Sequence, residues 1–211
     1  MAEVQPLVGP EGGLPALGPG TWVTRPSMLR RLAVVALVLL ALLGAKIVVG
    51  ALEQNNSLGL LTNAKQLTPW LLVGAAPTDA GTQALASNLN VDGVVDLTGA
   101  SMAVRASAAF LHMGFIRESL NPGEAPTAAQ LQDLVAFVSR FTAGGKAVYL
   151  YDDTGGGRAL VTADMLWLMK GGTWQEVRSQ MSRADWRQLS SRQVGALNRV
   201  RAAANDAGAR A

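Results

Sequence analysis

Cysteine is absent from this chain of 211 residues, and histidine occurs only once, at His112. The lack of cysteine excludes disulfide bonds, zinc and iron–sulfur sites with cysteine ligands, and any thiol nucleophile. A single histidine is too few for the usual histidine-rich metal sites and for catalysis that needs two imidazoles. The sequence therefore predicts no metal site and no cofactor.

Positive charge is also sparse. The formal net charge is +3, and although the pI is ≈ 9.7, the excess of arginine and lysine is small and spread along the chain. Domains that bind nucleic acids carry a dense basic stripe or patch. We therefore predict no nucleic-acid partner.

Proline and glycine are frequent in residues 1–27, which show no apolar period. The prolines are Pro6, Pro10, Pro15, Pro19 and Pro26. Such a segment cannot bury enough apolar surface to fold, so residues 1–27 are predicted to be a disordered tail.

A long apolar run follows this tail. Leu32–Ala45 contains no polar residue, and the run continues beyond Lys46 to Leu52. Its length is roughly the 20 residues that a bilayer core requires. Lys46 lies near the end of the run, where a lysine side chain can reach the headgroups. The sequence predicts a single transmembrane anchor over residues 28–52, with the lipid bilayer as a partner.

The arginines before the run set its predicted orientation. Arg25, Arg30 and Arg31 precede it, and fewer basic residues follow it. The positive-inside rule then places the N-terminus in the cytoplasm and the C-terminal domain outside. A signal peptide cleaved near residues 49–51 is the alternative. The long preceding tail and the length of the run favour an uncleaved signal anchor.

The rest of the chain alternates strand and helix patterns. Residues 53–65 are predicted to be a linker, 66–185 a domain, and 186–211 a C-terminal helix with a frayed tail. Strands are expected at Leu71–Val73, Gly93–Leu97, Phe115–Leu120 and Ala147–Tyr151. Alternation with helices predicts an α/β fold whose mixed, mostly parallel sheet is flanked by helices.

One of these strands leads into a glycine-rich loop, in the segment KAVYLYDDTGGGRA at residues 146–159. Lys146–Tyr151 has the composition of a buried strand, and Arg158 opens a helical pattern. Three glycines let backbone N–H groups converge at a helix N-terminus, which favours an anion, and arginine adds a planar fork for phosphate or sulfate. The predicted anion-binding loop consists of Asp152, Asp153, Thr154, Gly155, Gly156, Gly157 and Arg158.

This segment resembles the signature loop of the cysteine-dependent protein tyrosine and dual-specificity phosphatases, which reads His-Cys, five residues, Arg, then Ser or Thr. Tyr151 stands at the histidine, Asp152 at the cysteine and Arg158 at the arginine. Other segments resemble parts of the family in the same order, at residues 70–78, 92–98, 125–137 and 172–181. The resemblance implies a phosphatase-like fold over residues 66–185, with a carboxylate in place of the nucleophilic thiolate.

The resemblance also implies a catalytic acid shortly before the helix that precedes the loop. Asn121 lies nearest to that place and has no carboxylic proton, whereas Glu124 is close but equally suits the start of a helix. No residue therefore has a clear acid role. We expect Asp152 to accept hydrogen bonds from the loop N–H groups and to pair with Arg158, as an internal substitute for phosphate.

These features predict a membrane-anchored pseudophosphatase, a phosphatase-like domain without catalysis that acts by binding or scaffolding. Its partner would be a phosphorylated or other anionic ligand, or a protein. One alternative is a hydrolase that cleaves phosphate esters through Asp152 and Arg158 without a cysteine. The other alternative is a structural membrane module whose pocket is closed.

Overall fold

The computed structural model describes residues 56–99 and 101–208, together with residues 35–37 and 40. The predicted tail, residues 1–27, and most of the predicted anchor, residues 28–52, lie outside the described part. Among the described residues, no helix is both long and apolar enough to cross a bilayer. The fold that follows belongs to the compact unit within Ile47–Ala211.

A five-stranded sheet forms the centre of this unit. Its strands are β1 Lys65–Thr68, β2 Leu71–Ala75, β3 Val91–Asp96, β4 Gly114–Arg117 and β5 Ala147–Asp152. Their spatial order is β1-β2-β5-β3-β4. Strand β1 is antiparallel to β2, and the other neighbours are parallel. The predicted mixed, mostly parallel sheet is confirmed.

Seven helices are described around the sheet. They are α1 Asp79–Asn88, α2 Met102–Phe110, α3 Ala128–Thr142, α4 Gly157–Met169, α5 Trp174–Gln180, α6 Arg183–Gln188 and α7 Ser191–Gly208. One hydrophobic core joins the sheet to helices α3, α4, α5 and α7, and a second joins it to α1 and α2. Strand β5 lies between both cores, and all six of its residues are buried.

Two elements differ from the sequence prediction. The first strand, β1, is not predicted because it has only four residues, at the border of the predicted linker, and the apolar partner β2 decides its pairing. The single C-terminal helix predicted from residue 186 is divided into two, because α6 ends at Gln188 and α7 begins at Ser191. The second begins after Ser190, whose backbone N–H donates to Gln193 Oε1 at 2.9 Å, so a capping interaction starts a new helix there.

Candidate functional site

The glycine loop lies at the carboxyl end of the central strand. Strand β5 ends at Asp152, and helix α4 begins at Gly157. Gly155 has φ +74, and a Cβ atom there would lie only 2.7 Å from the backbone nitrogen of Ala75. Only glycine fits this position, because the backbone is left-handed and presses against strand β2. The carboxyl ends of parallel strands are where open α/β sheets place their ligand sites.

The carboxylate of Asp152 lies inside the loop and is only 2% exposed. Its Oδ1 atom accepts hydrogen bonds from the backbone N–H groups of Thr154 at 2.8 Å, Gly155 at 2.6 Å and Gly156 at 3.3 Å. Its Oδ2 atom accepts one from the N–H of Ala159 at 3.1 Å. The expected hydrogen bonds between Asp152 and the loop N–H groups are therefore confirmed. The converging amides are used by the chain's own side chain.

Arg158 does not pair with Asp152, so that part of the expectation is wrong. Its Nη1 atom donates to the backbone carbonyl of Leu120 at 2.6 Å, and its Nη2 atom donates to Asp153. The two acidic neighbours therefore have separate partners: Asp152 accepts from backbone N–H groups, and Asp153 accepts from Arg158. Arg158 is 7% exposed, whereas the side chain of Asp153 is 65% exposed. Both donor arms of the buried guanidinium are engaged.

Asn121 and Glu124, the two residues near the implied acid position, contact each other. Asn121 Nδ2 donates to Glu124 Oε2 at 3.0 Å, and Glu124 Oε1 lies 3.7 Å from a guanidinium nitrogen of Arg192. Within the described part of the chain, neither side chain forms a hydrogen bond with the glycine loop. The connection between the two segments is instead the bond from Arg158 to Leu120.

Two residues that the sequence analysis did not identify hold this neighbouring segment in place. Ser190 Oγ donates to the carbonyl of Gly123, and Gln193 Nε2 donates to the carbonyl of Glu124 at 3.1 Å. Gln193 itself is 1% exposed, and the contact is part-buried. A Ser-x-x-Gln pattern at the start of a helix is a capping signal. The signal predicts a helix start at Ser190 but not which loop the helix holds.

The end of helix α6 lies close to the glycine loop. A Cβ atom added to Gly156 would lie 2.7 Å from Oε1 of Gln188, the last residue of this helix. A cavity of about 500 Å³ lies beside the glycine loop. The cavity is lined by Asn63, Ala64, Lys65, Thr154, Gly155, Gly156, Asp185 and Gln188. Within the described residues, no three His, Cys, Asp or Glu side chains are grouped as a metal site would need.

Burial changes the acidity of the tyrosines in strand β5. Desolvation raises the pKa of Tyr149, and the charge of Asp152 raises it further. Desolvation also raises the pKa of Tyr151, with an added contribution from Asp96. Tyr151 is the residue that stands at the family's histidine. Burial therefore favours the protonated, uncharged phenol at this position.

No family model and no curated protein sequence matches the chain. Solved structures do match, and they define the fold as that of the protein tyrosine and dual-specificity phosphatases.

Three of these structures illustrate the likeness. PTPMT1 matches with a TM-score of 0.60 at 18% identity, over 70% of this chain and 99% of PTPMT1. Tk-PTP in its active form matches with a TM-score of 0.56 at 17% identity, over 66% of this chain and 96% of that one. TpbA of P. aeruginosa matches with a TM-score of 0.53 at 18% identity, over 68% and 91%. At these identities the likeness establishes the fold alone.

Proposed function

We propose that this chain is a membrane-anchored, phosphatase-like protein that does not hydrolyse phosphate esters and acts by binding or scaffolding. One observation carries the proposal. The buried carboxylate of Asp152 accepts hydrogen bonds from three loop amides and from the N–H of Ala159 in the first turn of α4, which are the donors that a phosphate would need. A phosphate dianion entering the loop would meet a like charge in a desolvated site, which opposes binding.

The hydrolase alternative has less support. Phosphoryl transfer through a covalent intermediate needs a free nucleophile and an acid that protonates the leaving oxygen. Both oxygens of Asp152 are hydrogen-bonded, and Glu124 is held by Asn121 instead of facing the loop. Arg158, which would hold the phosphate, is bound to Asp153 and Leu120. Each component of the reaction is engaged elsewhere.

An anionic ligand remains part of the proposal. The solved complex of PTPMT1 with PI(5)P, which matches this chain with a TM-score of 0.57 at 20% identity, supports a phosphorylated ligand for this fold. In this chain such a ligand gains the loop amides only by displacing the Asp152 carboxylate. We therefore expect free phosphate to bind the parent protein weakly. The third alternative, a structural module with a closed pocket, predicts no ligand at all.

The full-length protein, purified in detergent micelles, is expected not to release phosphate from para-nitrophenyl phosphate above the buffer rate. The reason is that the described part of the site contains no free nucleophile and no positioned acid. Asp152→Cys supplies a thiol without an acid, so slow turnover at most is expected from that variant. Parent turnover that disappears in Asp152→Ala would contradict the proposal and support the hydrolase alternative.

Membrane anchoring is tested separately. Alkaline carbonate extraction of membranes should leave the full-length protein in the pellet, because the apolar run has the length of a bilayer core. A variant with Leu37→Arg and Leu40→Arg places two charges in the run and should be released. Release of the parent into the supernatant, or a mature N-terminus near Leu52, would show that no anchor is retained.

A further inference from the structure

A second groove lies outside the glycine loop, between helix α2 and the last strand of the sheet. Its volume is about 460 Å³. It is lined by Arg105, Ala109, Met113, Phe115, Ile116 and Arg117. We call it the α2–β4 groove. Four of the lining residues are apolar, and the other two are arginines.

Strand β4 forms the open edge of the sheet in this groove. It pairs with β3 on one side, and within the described part of the chain no backbone bonds to its outer side. All four residues of β4 are half-buried. The opposite edge is different, because Lys65 on β1 is bonded to Asp185 of helix α6 at 2.7 Å. An edge without such protection is a template for a further strand.

The arginines of the groove have unused hydrogen-bonding capacity. Arg117 Nε contacts the buried carboxylate of Asp96 at 3.4 Å, and the Arg117 side chain is still 32% exposed. Arg105 is exposed one turn before Ala109 on helix α2. A guanidinium is suited to bidentate contact with a carboxylate. The groove therefore complements an acidic group.

Exposed apolar side chains lie on the same helix. Phe110, at the end of α2, is 84% exposed, and Met102, at its start, is 69% exposed. Met102, Arg105 and Ala109 recur at helical spacing, so they share the face that borders the groove. Large exposed apolar residues beside a cationic groove are typical of a surface that binds another protein.

We propose that the α2–β4 groove is a docking site for an extended acidic segment of a partner protein. The segment pairs its backbone with the outer edge of β4 and directs an Asp or Glu side chain to Arg105 and Arg117. A second copy of this chain is disfavoured, because its own β4 strand, Gly114–Arg117, carries no acidic side chain that could reach the arginines of the groove. The groove gives the proposed binding function a surface that is independent of Asp152.

The probe for this site is a fluorescein-labelled octapeptide in which valine and glutamate alternate. Fluorescence anisotropy with the full-length protein in uncharged detergent micelles should show saturable binding that weakens with salt, because exposed ion pairs are screened. Arg105→Glu should weaken binding about tenfold or more, since it replaces an attractive charge by a repulsive one. Arg178→Glu, at an exposed arginine of helix α5, is the matched control and should leave the affinity unchanged.

Two further peptides separate the alternatives. A peptide with lysine in place of glutamate should not bind, and a peptide with proline in place of valine should bind poorly because it lacks the donors of a strand. If the proline peptide binds as tightly as the valine–glutamate peptide, the groove binds acidic groups without strand pairing, and the proposed pairing with β4 is wrong. No binding of the glutamate peptide, or equal effects of Arg105→Glu and Arg178→Glu, would overturn the docking site. If the free protein forms a dimer that Arg105→Glu disrupts, the outer edge of β4 binds a second copy of this chain and the docking proposal is wrong.

Discussion

Replacing Asp152 by alanine is expected to lower the free energy of unfolding by about 1–3 kcal/mol, because buried backbone donors lose their acceptor. Four N–H groups converge on this carboxylate, and the side chain is 2% exposed, so water cannot readily take its place. For a chain of this size the melting temperature should fall by about 2–4 °C for each kcal/mol. Chemical denaturation and thermal melting of the full-length protein measure the loss.

The matched control for this prediction is Asp133→Ala. Asp133 is exposed on helix α3, and the same substitution there removes a charge without uncovering any donor. A change within about 0.5 kcal/mol is expected for the control. If Asp152→Ala and Asp133→Ala have the same small effect, the loop does not depend on the Asp152 carboxylate for its conformation.

Replacing Asp164 by asparagine is expected to stabilise the protein at neutral and alkaline pH, because an amide does not ionise in the unfolded chain as a carboxyl does; each unit by which folding raises the pKa of a carboxyl costs about 1.4 kcal/mol at high pH. Asp164 lies on helix α4 with no exposed surface, and within the described chain neither of its carboxylate oxygens has a hydrogen-bond partner. Burial raises the pKa of Asp164 well above its ordinary value, and the negative charge of Asp185 raises it further. Ionisation therefore opposes folding.

The direction of the pH dependence follows from this raised pKa. A carboxyl whose pKa is higher in the folded state stabilises fully below its unfolded pKa of about 4, and this stability is lost as the pH rises towards the folded pKa. The stability difference between Asp164→Asn and the parent should therefore increase with pH across this window and then level off. Urea denaturation at a series of pH values measures the difference.

Asp185 supplies a control of opposite sign. Burial acts to raise the pKa of Asp185, but the hydrogen bond from Lys65 and those from Ser182 outweigh it and lower the pKa. Asp185→Asn should therefore destabilise at neutral pH, with the effect disappearing as the pH falls. A difference for Asp164→Asn that does not change with pH would contradict a buried, unpartnered carboxyl.

The sequence predicts the centre of this molecule better than its periphery, for a physical reason. Strand β5 ends at Asp152, and Gly155 follows three residues later. Because these residues are close in the chain, local pattern and backbone geometry are sufficient to place the carboxylate beside the loop amides. Whether Arg158 binds Asp152 or Asp153 depends on the directions in which these two adjacent acidic side chains leave the turn. Sequence spacing carries no information about that direction.

Long-range contacts explain what the sequence analysis missed. Gln193 reaches the carbonyl of Glu124 across 69 positions of the chain, and its local pattern indicates only a helix start. Strand β1 is four residues long, and its assignment depends on pairing with β2. Asp164 lies in the core because almost all residues of helix α4 are buried. An aspartate is usually exposed, so its residue type does not predict this burial. Tertiary packing decides each of these positions.

The central claim is that the Asp152 carboxylate occupies the place of an anion, and a phosphate titration of the melting temperature tests it most directly. An anion that binds only the folded state stabilises by mass action, by about 2.7 kcal/mol at a hundredfold excess over its Kd. Phosphate is expected to raise the melting temperature of Asp152→Ala by several degrees more than that of the parent or of Asp133→Ala, because only in that variant have the loop amides lost the carboxylate that accepts their hydrogen bonds. If phosphate has the same effect on all three proteins, or none on any, the Asp152 carboxylate does not occupy an anion site.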